Sequence, residues 1–186
     1  MRNFSILALG GNLESRLGDP LLTLRQALEA LKAEGIQLVK ASHFFRTPAF
    51  PAGSGPDYVN SAALVQANHS PVELLEALHR IEAELGRVRT TRWGSRPVDI
   101  DLIAHGQDIA PSRAVFDQWQ GLSLEDQQQK WPQELILPHP RLQDRAFVLV
   151  PMAEVAPDWV HPVFGKTTLE MLNALPENLR KEVVRL

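Results

Sequence analysis

The pattern of apolar and polar positions divides the first part of the chain into a strand and an amphipathic helix. An apolar run from Phe4 to Leu9 predicts a strand, and Gly10-Gly11-Asn12 after it is a turn signal. Leucines at helical spacing predict a helix from Pro20 to Glu34, with Asp19 as its N-cap and Gly35 as its stop. The chain therefore opens with a β-α unit.

A strand-strand-helix-strand series follows this unit. Residues 36–46 and 57–67 are predicted strands, separated by a loop rich in proline and glycine. A capping box that begins at Ser70 opens a helix through Leu85, and the strand of Asp99 comes next. The order β-α-β-β-α-β is the pattern of ferredoxin-like folds, so we expect an α+β fold with an antiparallel sheet. Both helices should pack on one face, which leaves the other face free to carry a site.

The second half of the chain is less regular. Residues 107–134 break the pattern, and an insertion of this length is more often a lid, a contact surface or a flap than part of a core. Apolar order returns at residues 145–151, and a final helix is predicted from Thr168 to Leu175. The tail from Glu177 to Leu186 is amphipathic and predicts nothing specific.

Length and composition are typical of one globular domain, or of one domain with an appendage. The chain has 186 residues, of which 44% are hydrophobic, enough for a substantial core. It has no apolar run long enough to cross a bilayer, and its first residues lack the pattern of a secretory signal. Cysteine is absent, which excludes disulfides and thiolate metal sites. We expect a cytoplasmic protein that does not act at a membrane.

Charge is distributed unevenly along the chain. The formal net charge of −3 argues against nucleic acid as a partner. Residues 87–96 nevertheless contain four arginines and no acid: Arg87, Arg89, Arg92 and Arg96. Guanidinium groups suit phosphate oxygens, so this cluster favours a compact anion such as a polyphosphate. A solvated charged loop is the alternative.

Two carboxylates follow the arginine cluster directly. On a strand, Asp99 and Asp101 point to the same face, where they repel each other unless a cation lies between them. A hard divalent cation is the usual solution to such an arrangement. The alternative is a solvent-facing strand edge that carries charges to prevent pairing with another chain.

The chain resembles 6-hydroxymethyl-7,8-dihydropterin pyrophosphokinases in a set of ordered motifs. These motifs span most of residues 4–165 and occur in the same order as in the family. They are Leu9-Gly10-Gly11-Asn12-Leu13, Arg46-Thr47-Pro48, Pro56-Asp57-Tyr58-Val59-Asn60, Arg80-Ile81-Glu82, Gly86-Arg87-Val88-Arg89, the Arg92–Asp101 segment, Leu137-Pro138-His139 and Arg145-Ala146-Phe147.

The resemblance implies transfer of a whole diphosphate from ATP. The hydroxymethyl oxygen of the pterin would attack the β-phosphorus, giving AMP and the pterin diphosphate in folate biosynthesis. Asp99 and Asp101 would hold two Mg²⁺ ions on the triphosphate. Residues 1–165 would form the pyrophosphokinase domain, and residues 166–186 would be its C-terminal helix and tail.

The resemblance also assigns roles to individual residues. Those implied in catalysis are Arg87, Arg89, Arg92, Trp93, Asp99 and Asp101. Those implied in nucleotide binding are Glu82, Arg87, Arg92, Arg96, Ile100, His139 and Arg145. Those implied in pterin binding are Thr47, Pro48, Phe50, Tyr58, Asn60, Trp93 and Phe147. Taken singly, most of these residues are equally typical of turns, strands or cores.

The chain departs from the family pattern at several points. Gly11 stands where serine is common, a change expected to be tolerable in a turn, and Ser95 replaces a usual proline. The Thr90-Thr91 stretch before Arg92 looks short for the loop that closes in this family. Pro140 follows His139 at a position where an aromatic or other residue can stand. The 107–134 insertion is the largest difference.

The sequence suggests three hypotheses of function, and it favours the first because both aspartates and all the arginines of the family pattern are retained. The first is a monomeric enzyme whose partners are ATP and the pterin. The second is a non-catalytic paralogue that binds a pterin or a nucleotide. The third is an interaction module whose contacts are made by the insertion with Trp119 and Trp131.

Overall fold

A single antiparallel sheet forms the centre of the protein. The structure, a computed structural model, describes residues 3–49, 55–87, 96–123, 126, 129–130 and 132–186. Within them the sheet runs in the order β5-β1-β4-β3-β6, with β2 also paired to β4. The strands are β1 (Asn3–Gly11), β2 (Gln37–Ala41), β3 (Phe45–Thr47), β4 (Tyr58–Ala67), β5 (Asp99–His105) and β6 (Val184–Arg185).

The helices begin where the sequence provides caps. The Asp19 side chain accepts the Leu22 N–H at 2.8 Å, and Ser70 forms the predicted capping box with Glu73. The helices are α1 (Pro20–Ala30), α2 (Pro71–Glu84), α3 (Arg113–Gln120), α4 (Ala146–Val155), α5 (Thr168–Ala174) and α6 (Glu177–Lys181). Among the described residues, none of these helices has the length and apolarity needed to cross a membrane.

The first core confirms the ferredoxin-like prediction. The helices α1 and α2 pack on one face of the sheet, where Leu24 and Leu78 contact inward-facing residues such as Leu7 and Ile100. Every strand pairing is antiparallel within the described residues. The four-strand core in the order β5-β1-β4-β2 is the arrangement expected of a β-α-β-β-α-β chain.

A second core covers much of the opposite face. There α4 and α5 contribute Val148, Met152 and Met171, which pack against Ile6 and Ala62 of the sheet. The expectation of an open second face was therefore wrong over most of that face. The reason is that α4 is apolar on almost every side, and a helix of this kind has to be buried. Among the described residues, the end of β1 at Gly10 and the starts of β4 and β5 at Asn60 and Asp99 are not members of this second core.

Three predicted elements have different bounds in the structure. The strand predicted over 36–46 divides into β2 and β3, because the Ser42 hydroxyl accepts the Ala62 N–H at 2.9 Å and donates to the His43 carbonyl at 2.7 Å. The first helix ends at Ala30 and is followed by turns up to Gly35. The tail forms α6 and β6, which extends the sheet beside β3.

Part of the insertion belongs to the folded body, although none of it was expected to be core. Ser112 caps α3, and Phe116 on that helix is fully buried. The Phe116 ring lies with its centroid 5.7 Å from that of His161 and 6.0 Å from that of Phe164. The insertion is thus held against the C-terminal segment by aromatic packing.

Candidate active site

The candidate site lies on the second face of the sheet, beyond the second core. Gly10 on β1 pairs with Asn60 on β4 and with Asp99 on β5, so these three positions form one row across the sheet. Asp101 pairs with Ala8, two residues further along the same face. A Cβ on Gly10 would lie 3.0 Å from the Asn60 Oδ1 atom, so glycine keeps the space between Asn60 and Asp99 open.

Two arginines share the Asp99 carboxylate. Arg87 Nη1 donates to Oδ1 at 2.5 Å, and Arg96 Nη1 donates to Oδ2 at 2.6 Å. Asp99 is therefore not part of a solvent-facing charged edge, which was the alternative from the sequence. Because each carboxylate oxygen has two lone pairs, these contacts leave acceptor capacity for a further cation.

Glu82 lies behind this arrangement and is only 1% exposed. Its Oε1 atom accepts the Ile100 N–H at 2.7 Å and also accepts a hydrogen bond from Arg87. Glu82 therefore fixes both the start of β5 and the guanidinium that contacts Asp99. These partners are internal groups of the protein, so its observed contacts are structural.

The electrostatics of the aspartate pair favour a bound cation. Burial raises the pKa of the Asp99 carboxyl, the charge of Asp101 raises it further, and Arg96 and Arg87 oppose both effects. Burial lowers the pKa of the Arg145 guanidinium, while Asp101 and Asp99 act in the opposite direction. Arg145 keeps its charge, as arginine does in proteins, and adds a third guanidinium within electrostatic reach of the two carboxylates.

His139 is a neutral hydrogen-bond donor at the edge of the site. Burial and the charge of Arg145 lower its pKa to about 3. The His139 Nδ1 atom accepts the Arg141 N–H at 3.1 Å, which leaves the ring proton on Nε2 in the neutral form. The His139 backbone N–H donates to the Ile103 carbonyl at 2.8 Å, so the ring is anchored to β5.

Four of the residues implied in pterin binding are described on the β3–β4 side of the row. Thr47 and Asn60 are almost completely buried, and Asn60 Nδ2 donates to Thr47 Oγ1 at 2.7 Å. Tyr58 pairs with Thr47 and is half-buried, while Pro48 is exposed. Together they present a polar edge beside an aromatic ring, which suits a flat heterocycle.

Phe147 lies in the first turn of α4, beside Arg145. It is 41% exposed, and the Arg145 guanidinium carbon lies 5.6 Å from its ring centroid. An exposed aromatic ring beside a cation can still stack on a ligand. Four other predicted site residues lie outside the described residues, namely Phe50, Arg89, Arg92 and Trp93, as do Ser95 and Trp131.

Gly11 has a close-packing role that the sequence analysis missed. It ends β1 rather than lying in a turn, and a Cβ on it would lie 2.4 Å from the Pro97 carbonyl oxygen. A serine at Gly11 would therefore overlap Pro97 in this structure, contrary to expectation. Asn12 holds the same segment, since its N–H donates to the Arg96 carbonyl and its Oδ1 accepts the Arg96 N–H, both at 2.9 Å.

The described residues contain no group of three or more acidic or histidine side chains that could enclose a metal. A pair of carboxylates such as Asp99 and Asp101 is nevertheless enough for Mg²⁺, because this ion is commonly held by one or two carboxylates together with substrate phosphates. This donor set matches a cation that is bound jointly by the protein and a polyphosphate.

Comparison with known proteins identifies a family. A family model described as 7,8-dihydro-6-hydroxymethylpterin-pyrophosphokinase (HPPK) matches residues 6–157. A protein of Synechocystis sp. named 2-amino-4-hydroxy-6-hydroxymethyldihydropteridine pyrophosphokinase is 36% identical over 169 residues, covering 90% of this chain and 74% of the relative. A protein of the same name from Methylorubrum extorquens is 38% identical over 170 residues, covering 91% of each chain.

Solved structures agree on the fold. The crystal structure of wild-type Plasmodium falciparum HPPK-DHPS with pteroate superposes with a TM-score of 0.66 over 93% of this chain, at 12% sequence identity. This chain covers 44% of that longer chain. At such low identity the likeness concerns the fold alone.

Proposed function

The chain belongs to the 7,8-dihydro-6-hydroxymethylpterin-pyrophosphokinase family, and on this premise we propose that it transfers diphosphate from ATP to 6-hydroxymethyl-7,8-dihydropterin in folate biosynthesis. The pterin hydroxymethyl oxygen attacks the β-phosphorus, the bond from that phosphorus to the α-phosphate bridging oxygen breaks, and AMP leaves. The hydroxyl proton is released to solvent. The observation that carries the proposal is the row of Asn60, Gly10 and Asp99 across the sheet.

We propose that Asp99 and Asp101 hold two Mg²⁺ ions together with the triphosphate oxygens. When bound, these ions neutralise phosphate charge and acidify the pterin hydroxyl. The carboxylates suit this task because they lie on the same face of β5, and because Asp99 retains acceptor capacity beyond its two arginine contacts.

The remaining residues bind and orient the two substrates in this proposal. Arg87, Arg96 and Arg145 neutralise the charge of phosphate oxygens. His139 donates a hydrogen bond from its Nε2–H group to one of these oxygens. Such preorganised charge is the main source of rate in phosphoryl-type transfer, where alignment matters more than covalent chemistry. Thr47 and Asn60 hydrogen-bond the pterin edge, while Tyr58, Phe147 and Phe50 flank its ring, with Pro48 beside them.

Arg89, Arg92 and Trp93 keep the roles that the resemblance gives them, as residues that close over the reactants. The side chain of Ile100 lies in the first core, so we propose that Ile100 acts on the nucleotide side through its backbone. Glu82 holds the Arg87 guanidinium in place. We further propose that the protein is a cytoplasmic monomer whose pyrophosphokinase domain spans residues 1–165. Residues 166–186 complete that domain, in which α5 packs against the second core.

A product assay tests the proposed reaction. The protein is incubated with ATP, Mg²⁺ and the pterin, and AMP and ADP are separated chromatographically. We expect AMP that depends on the pterin, and a loss of kcat of about 10²–10³-fold or more in Asp99→Ala and Asp101→Ala. Asp158→Ala, at an exposed acid after α4, is the matched control and should keep wild-type activity. ADP as the only product would reject the reaction, and tight binding of both substrates without AMP would favour the non-catalytic alternative.

A further inference from the structure

The insertion and the candidate site share one cavity. The cavity has a volume of about 450 Å³, within the usual range for small-molecule sites. Asp101, His139 and Arg145 contribute polar groups to its lining. Trp119 and Leu122, from the end of α3 and the turn after it, line the same cavity. The insertion is therefore part of the wall around the charged residues.

The cavity lies at the outer edge of β5, which is the terminal strand of the sheet. Leu102 faces the first core while Asp101 faces the opposite side, and both line the cavity, so it wraps around this edge. Of the residues implied in pterin binding, Tyr58 and Asn60 lie on β4, two strands away, and Thr47 lies on β3, three strands away. Along the strand order, the aspartates therefore stand between the pterin side and this cavity.

The lining of the cavity is amphipathic. Its apolar part includes Leu75 from α2 and Ile136, and its polar part includes the carboxylate of Asp101 and the guanidinium of Arg145. A ligand that matches both parts has a flat, weakly polar ring system joined to a strongly anionic group. A nucleoside triphosphate has this composition, with its phosphates at the polar part and its base at the apolar part.

Three contacts fix the insertion beside the cavity. Its base is closed by two backbone hydrogen bonds between Ala110 and Leu137, each of 3.0 Å. Phe116 anchors α3 by aromatic packing. Arg141 Nη2 donates to the carbonyls of Trp119 and Leu122 at 3.2 Å each. A guanidinium at the C-terminal end of α3 also complements the helix dipole.

Arg141 connects this wall to the phosphate-binding segment. Its backbone N–H donates to the His139 ring while its side chain holds the end of α3. A change of the Arg141 side chain therefore removes the contacts to the wall and leaves the backbone hydrogen bond to the imidazole in place.

We infer that Trp119 and Leu122 form a wall for the nucleoside of ATP, and that Arg141 is the residue that positions this wall. The inference deepens the proposed function and rests on it for the identity of the nucleotide. The insertion thereby acts on the affinity for ATP rather than on the recruitment of another protein. Contact of a base with an aromatic side chain changes affinity by about 5- to 150-fold.

Two probes separate the nucleoside from the phosphates. Binding of α,β-methylene-ATP and of inorganic tripolyphosphate is measured by titration calorimetry in the presence of Mg²⁺. We expect Trp119→Ala and Arg141→Met to lower the affinity for the ATP analogue at least fivefold and to leave the affinity for tripolyphosphate unchanged. Trp119→Phe should retain most of the affinity. Arg113→Ala, on the exposed side of the same helix, is the control and should bind both probes normally.

The outcomes are distinct from those of the product assay. Equal weakening of both probes, or no change in either, would overturn the inference, because the nucleoside would not contact the wall. Leu122→Ser provides a second variant in case Trp119→Ala does not fold. A thermal melting curve of each variant tests whether it is folded. If the wild type makes no AMP, but Trp119→Ala weakens binding of the ATP analogue and not of tripolyphosphate, the proposed reaction fails and the nucleoside wall stands. If AMP forms normally and the KM for ATP is unchanged in Trp119→Ala, the wall alone is rejected.

Discussion

Replacing Glu82 should destabilise the protein by an amount that depends on which hydrogen bonds survive. Glutamine can still accept the Ile100 N–H but loses the ion pair with Arg87, whereas alanine loses both contacts. A hydrogen bond to a charged group is worth about 1.5–3 kcal/mol, and an orphaned buried donor costs about 1–3 kcal/mol. Arg87 keeps Asp99 as a partner, so the full cost of an unpaired buried charge does not apply. We therefore expect the free energy of unfolding to fall by about 2–3 kcal/mol in Glu82→Gln and by about 4–5 kcal/mol in Glu82→Ala.

Equilibrium unfolding in urea, followed by far-ultraviolet circular dichroism, measures both values. Glu84→Gln is the matched control, because Glu84 is exposed on the same helix and its substitution should stay within about 0.5 kcal/mol. Equal losses for Glu82→Gln and Glu82→Ala would mean that the Ile100 hydrogen bond contributes nothing. A loss below about 1 kcal/mol in both variants would refute the view that Glu82 anchors β5 and Arg87.

Three further predictions concern pH, pterin affinity and backbone packing. Burial lowers the pKa of His161 to about 4, below its unfolded value, so stability should be lost as pH falls from about 6.5 towards 4, by up to roughly 3 kcal/mol. Urea unfolding at several pH values should show a weaker loss in His161→Phe, and equal losses would contradict the assignment. Asn60→Ala should raise the KM for the pterin by roughly 5- to 30-fold without changing that for ATP, and a change in both constants would exclude a specific pterin contact. Gly11→Ala should move the Pro97 carbonyl by about 1 Å and lower kcat by up to ~10²-fold, whereas unchanged turnover would show that this segment can relax freely.

Local signals in the sequence predicted the elements that local chemistry decides. The capping box at Ser70 and the N-cap at Asp19 are contacts between residues three apart, so the helix starts were predicted correctly. The alternation around Asp99 and Asp101 also specified which side chains share a face. Both features depend on short-range geometry, which is why a pattern could reveal them.

Contacts between distant residues decided what the sequence did not reveal. The break between β2 and β3 depends on hydrogen bonds from Ser42 to residues of β4 and its own neighbour, and no periodicity signals it. The anchoring of the insertion depends on Phe116 meeting His161 and Phe164, more than forty positions along the chain. Polar composition made residues 107–134 look like a flap, because a single buried aromatic residue leaves little trace in an average.

Strand order also explains how the proposed reactants could be aligned. In-line displacement requires the attacking oxygen, the phosphorus and the leaving oxygen to lie roughly on one line. The pterin-edge residue Asn60 lies on β4, Asp99 lies on β5, and Gly10 lies between them on β1. With neighbouring strands about 4.8 Å apart, the row provides roughly 10 Å between the two side-chain positions. Because Gly10 has no side chain, that distance stays available to the reacting groups, and the cavity beyond β5 continues in the same direction. A larger residue at Gly10 would therefore block the line itself, because even its Cβ would lie 3.0 Å from the Asn60 Oδ1 atom.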